Sequence, residues 1–143
     1  MIGPRVEIFV PDLPEPAGHY AHVVRAGQFV FVSGGSALDA EGKVVGGRDV
    51  VAQTRQVFKN LKRSLGAAGA SFADVCKVTI FLRHGADRDR INVVRQEYFG
   101  PTRPASTLVE VAGFSRDDLL VEIEAIAVVP ASLSPRGAPN EAP

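Results

Sequence analysis

The sequence predicts an α+β fold in which two helices cover one face of a single sheet. Three observations carry that expectation. Two segments place apolar residues at helical spacing, several others alternate with a period of two, and the two kinds of segment are interleaved along the chain. The 143 residues suit one domain, expected over residues 1–129. Residues 130–143 hold four prolines among Ser, Gly, Ala and Asn, and are expected to form a disordered tail.

The elements follow in order. Residues 21–25 and 29–33 are expected to be strands flanking Ala26, Gly27 and Gln28, a hairpin turn. The first helix starts after Asp49, a side chain suited to capping, and carries Val50, Thr54, Val57, Leu61 and Leu65 on one stripe. Arg55, Lys59, Lys62 and Arg63 fall on its other faces, and Gly66 and Gly69 end it. Residues 75–83 form a strand expected to bury Cys76, Val78, Ile80 and Leu82 on one face. The second helix spans residues 87–99 with Ile91, Val94 and Tyr98 aligned, and Gly100 and Pro101 stop it. Strands over residues 107–112 and 119–129 complete the domain.

The last strand is apolar on both faces. Leu119, Val121, Ile123, Ala125, Ala127 and Val129 share one side; Leu120, Glu122, Glu124, Ile126 and Val128 share the other. Helices cover one side only, so the second is expected to meet another copy of the chain.

Composition narrows the function. Sixteen Lys and Arg balance sixteen Asp and Glu, which speaks against a nucleic-acid or anionic-membrane partner. The longest apolar run, residues 119–129, is interrupted by Glu122 and Glu124 and is too short to span a bilayer. The N-terminus lacks the apolar core of a signal peptide, so a cytoplasmic location is expected. Cys76 is the single cysteine, which excludes an intramolecular disulfide and any multi-cysteine metal site.

Several residues are candidates for chemistry. Glu122 and Glu124 lie among Leu120, Ile126 and Val128, and a carboxylate in apolar surroundings is suited to general acid–base work. A rim position paired with Lys or Arg is the plainer alternative. His19 and His22 are three apart, so in a strand their rings diverge, and no metal is expected. Ser33, Gly34, Gly35 and Ser36 lack the lysine and glycine spacing of a nucleotide loop, but glycine lets backbone N–H groups approach a small ligand. Arg103, in the loop before the strand over residues 107–112, is either an anion clamp or a solvated charge.

An ordered set of segments then resembles one family. It comprises Val30-Phe31-Val32-Ser33-Gly34, Gln53-Thr54, Asn60-Leu61, Ala67-Ala68-Gly69-Ala70-Ser71, Asp74 to Phe81, Asn92, Tyr98-Phe99, Pro104-Ala105 and Val121 to Ala127. The chain from Gly18 to Val129 is similar to the reactive-intermediate deaminases, the RidA or YjgF family. The resemblance implies a chorismate-mutase-like fold, a homotrimer, and small-molecule clefts between subunits, with no cofactor. It implies hydrolysis of enamines or imines to 2-oxo acids and ammonia. By position, Glu122 would orient water, and Tyr20, Ser33, Gly34 and Asn92 would line the cleft.

Two positions depart from the pattern. The arginine that grips a substrate carboxylate in the family follows the Pro-Ala pair, and here Ser106 stands there. Gly35 replaces a glutamine. The departure implies a substrate unlike the usual 2-imino acids, unless Arg103 reaches the cleft. A small-ligand-binding trimer without catalysis is the first alternative. A 2-aminomuconate deaminase-like enzyme, suggested by residues 18–23, is the second. Ribonuclease activity, a label attached to the family, is disfavoured by the balanced charge.

Overall fold

A computed structural model describes residues 4–131. The expected tail from residue 132 onward lies outside the described residues. The strands are β1 (Arg5–Ile8), β2 (Val23–Ala26), β3 (Phe29–Gly35), β4 (Val75–Leu82), β5 (Ala105–Glu110) and β6 (Val121–Val128), and the helices are α1 (Val50–Ala67) and α2 (Arg88–Phe99). They form one six-stranded sheet in the order β1-β2-β3-β6-β4-β5. All neighbours run antiparallel except β4 and β5, which are parallel and joined through α2. The last strand of the chain therefore lies inside the sheet, between β3 and β4.

Local chemistry explains most boundaries. The β2–β3 hairpin turns on Gly27 and Gln28, and Gly27 takes a positive φ of 60° that side chains resist. Asp49 caps α1 by accepting from the backbone N–H of Val51 and Ala52. Gly100, at φ 58°, ends α2. Patterning does not single out β1, a short edge strand that is mostly exposed and pairs only with β2.

The core lies between the sheet and the helices. Val121, Ile123, Ala125 and Ala127 of β6, with Leu119 and Val129 at its ends, are all buried, as are Val78, Ile80 and Leu82 of β4. Val50, Val57, Leu61 and Leu65 of α1 and Ile91 and Val94 of α2 face them. An aromatic cluster joins the helices, with Phe58 stacked on Tyr98 at 5.1 Å and Phe72 edge-on to Phe99 at 5.2 Å.

Cys76 departs from its expected place. It is exposed, because β4 steps from Val75 to Lys77 while β6 moves only from Ala127 to Ile126. The extra residue is a bulge at Cys76, and the buried set becomes Val75, Val78, Ile80 and Leu82. The fifth strand also begins two residues earlier than expected, at Ala105.

Among the described residues, nothing covers the second face of β6. Ile126 and Val128 are half-buried there, and Phe29 and Phe31, opposite them on β3, are 45% and 42% exposed.

One buried side chain ties α1 to the approach of β6. Gln53 donates to the carbonyls of Gly47, at 2.6 Å, and Asp118, at 2.8 Å, and accepts from the Leu120 N–H at 2.8 Å. Replacing it with leucine strands three backbone groups, each worth about 1–3 kcal/mol when left unmet in the interior. Gln53→Leu is expected to lower the urea midpoint by the equivalent of about 3 kcal/mol or more, with little change in slope; an unchanged midpoint would count against this role.

Candidate active site

A second bulge builds the site. Between Val32 and Gly35, β3 advances three residues while β6 moves two, from Ala125 to Ile123. The extra residue at Ser33 and Gly34 interrupts the ladder opposite Glu124 and beside Glu122. Gly35 faces α1, where an added Cβ would lie 3.6 Å from Leu61. Gly34 faces the other way. A Cβ there would fall 2.7 Å from Glu122 Oε2 and 2.9 Å from its carboxyl carbon. The Glu122 carboxylate thus lies directly over a residue that has no side chain.

Ser36 holds the other carboxylate oxygen, its hydroxyl donating to Glu122 Oε1 at 3.2 Å. Ser36 is itself fixed from α1, since Asn60 Nδ2 donates to the carbonyls of Ser36 and Leu38, both at 2.9 Å. Asn60 Oδ1 accepts from Gln56 and Arg63, so this buried amide is fully used. A helix in the core therefore sets the position of a carboxylate on the open face.

Beside this cluster is a cleft of about 430 Å³ lined in part by Tyr20, His22, Ser33, Gly34, Ser36 and Arg116. Tyr20, half exposed, accepts from the Ala17 N–H at its hydroxyl. His22 Nδ1 accepts from the Val10 N–H at 2.8 Å, which leaves Nε2 to donate to the Pro14 carbonyl at 2.9 Å. Both ring nitrogens are thus occupied in pinning the N-terminal segment that walls the cleft. Arg116 donates to the Gly42 carbonyl at 2.8 Å and pairs with Asp118 at 3.3 Å. Arg83 secures this wall by donating to the carbonyls of Leu119 and Arg116.

Of the residues expected from the sequence, Tyr20, Ser33 and Gly34 line this cleft, and Glu122 adjoins it through Gly34 and Ser36. Asn92, Arg103 and Ser106 do not. Asn92 is on α2, Arg103 is exposed in the loop before β5, and Ser106 is on β5, two strands away from β6. Glu124, the other carboxylate of β6, is exposed. Ser106 pairs in register with Val78, a core residue, so it belongs to the helix-covered face; its hydroxyl accepts from Arg95 Nη2 at 3.0 Å.

Sequence reasoning missed Ser36 as the partner of Glu122, and Arg95. The signal for Arg95 was its spacing. It sits four residues after Ile91, next to Val94, on the side of α2 that meets the protein.

Gly34→Ala is expected to move the Glu122 carboxylate without unfolding the chain, since the glycine has no positive φ and the clash is with a side-chain end. A displacement near 1 Å can lower a catalysed rate by about 100-fold. The check is kcat alongside a thermal melt; unchanged kcat would mean that this close approach is unimportant.

These features define a small α+β domain with a carboxylate centred on a bulged strand beside a cleft. The chain belongs to the endoribonuclease L-PSP family, also known as RidA or YjgF, whose model matches residues 11–129. It is 45% identical over 121 residues to a RutC family protein of Pyrococcus horikoshii, covering 84% of this chain and 94% of the relative. It is 42% identical over 124 residues to the 3-aminoacrylate deaminase RutC of Acinetobacter baylyi, covering 86% and 98%. The YjgF gene product of E. coli superposes with a TM-score of 0.79 at 33% identity, covering 86% of this chain and 98% of that one. Among the described residues, no helix is long and apolar enough to cross a membrane.

Proposed function

We propose that this chain is a hydrolytic deaminase of small enamines or imines, working in clefts completed by neighbouring subunits of a homotrimer. The observation that carries the reading is the Glu122 carboxylate, held by Ser36 over Gly34 at the edge of a preformed cleft. Water bound by Glu122 attacks the imine carbon while the carboxylate takes its proton. That proton passes to the nitrogen, giving a carbinolamine; its hydroxyl proton then moves through the carboxylate to the amino group, the C–N bond breaks, ammonia leaves and the oxygen remains as the carbonyl. An enamine enters the same path after protonation at carbon. Tyr20, Ser33 and Gly34 shape the cleft around the reacting group.

The relative from A. baylyi is named for an enamine acid, which supports this class of substrate. The uncovered face carrying Phe29, Phe31, Ile126 and Val128 supports self-association. Ribonuclease activity is the weaker reading, because the net charge is zero and the arginine in the cleft is already paired.

The substrate class is tested by ammonia release from imines that amino-acid oxidases generate in situ from neutral, acidic and aromatic amino acids. The reading expects enzyme-dependent release from at least one group. Saturable binding of the corresponding 2-oxo acids with no added release would favour the second reading, a binding trimer, which the serine at position 106 supports.

A further inference from the structure

Four arginines among the described residues are half-buried: Arg25, Arg55, Arg83 and Arg95. Three of them have two carbonyl partners or a carboxylate. Arg25 donates to the carbonyls of Gly27 and Ala68, Arg83 to those of Leu119 and Arg116, and Arg55 pairs with Glu97 at 2.7 Å. Arg95 differs from them. Its hydrogen bond goes to the neutral hydroxyl of Ser106, and no carboxylate pairs with it among the described residues.

A guanidinium has five N–H donors in a rigid fork, and a hydroxyl takes up one. Partial burial lowers the pKa of Arg95 from its ordinary value, as for a cation partly withdrawn from water. An incoming carboxylate would supply that charge and occupy the fork with two parallel hydrogen bonds. Ser106 is small enough to leave the fork open, and its hydroxyl steers it.

We infer that Arg95, presented by α2 and steered by Ser106, is the carboxylate-binding group for this chain's substrate, and that it serves the cleft of a neighbouring subunit, because within one chain Ser106 lies two strands from β6. The inference rests on the deaminase reading for the word substrate, but the anion site itself does not. The cation comes from the crossover helix rather than from the strand position that Ser106 occupies. The substrate's acid end is therefore gripped from another direction, and the selected substrate differs in shape while keeping its carboxylate.

The test uses the full-length protein with 2-oxobutanoate and its neutral amide as calorimetric probes, comparing wild type, Arg95→Lys and Arg95→Met. Wild type is expected to prefer the acid. Arg95→Met is expected to weaken acid binding about 30-fold or more with little change for the amide, and Arg95→Lys to fall between. In turnover, KM should rise in Arg95→Met while kcat changes far less, a split that a merely structural role would not produce.

The failures separate. If Arg95→Met binds the acid as wild type does, or wild type binds none, the inference is overturned, whether or not imines are hydrolysed. If binding depends on Arg95 but no ammonia is released, the anion site stands and the deaminase reading falls. Ser106→Arg sharpens the result. It crowds a second guanidinium against Arg95 and should not improve binding of the acid; a gain of tenfold or more would contradict the assignment.

Discussion

Glu122→Gln is expected to reduce ammonia release by about 100- to 10,000-fold, the usual contribution of a positioned general base. The substitution keeps the shape of the side chain and still lets Ser36 donate to the remaining carbonyl oxygen. What it removes is the ability to take a proton from water. The neighbouring geometry should survive, because Gly34 leaves room for either group and Ser36 is held by Asn60 from α1. Thermal stability and sedimentation should therefore match the wild type. Retained turnover in Glu122→Gln would remove this residue from the chemistry, whatever the fate of the remaining assignments.

The second large effect concerns assembly. Phe29 and Phe31 stack at 6.2 Å between centroids on the face that carries Ile126 and Val128. If three copies close around this face, Phe31→Glu places a carboxylate at each contact, and an unpaired charge in an apolar interface costs several kcal/mol. Because the arrangement is symmetric, the penalty is repeated in every subunit. Sedimentation should change from a trimer to a monomer, and activity should fall with it, since each cleft loses its neighbour. Far-UV circular dichroism should be retained, as Phe31 is not part of the core within one chain. A Phe31→Glu protein that stays trimeric would show that another face makes the contact.

The fold was largely legible from periodicity. The α1 stripe and the inner face of β6 both consist of residues whose spacing alone placed them together, because burial on one side imposes that spacing. The failures came where the chain leaves regular geometry. Cys76 was assigned to the core by counting in twos, and a bulge that alternation does not reveal moved it to the surface. β1 escaped because an exposed edge strand carries little apolar pattern.

The site divides in the same way. Glu122 stood out as a carboxylate in an apolar strand, and Gly34 as a glycine permitting close approach; the structure puts one over the other. Ser36 stayed hidden because it acts through a tertiary contact to β6 rather than a spacing, and the spacing that puts Arg95 on the inner side of α2 does not reveal its contact with β5. Gln53 and Asn60 are part of the family resemblance, and spacing gives no reason for either. Their hydrogen bonds to the loops on either side of the site supply that reason.

The most direct test follows the first-order decay of an oxidase-generated imine as the wild-type concentration is raised at constant pH. The account predicts a rate that rises linearly with enzyme, with equimolar ammonia and 2-oxo acid formed, while Glu122→Gln stays on the buffer line. A wild type that binds the 2-oxo acid yet leaves the imine decaying at the buffer rate would contradict it.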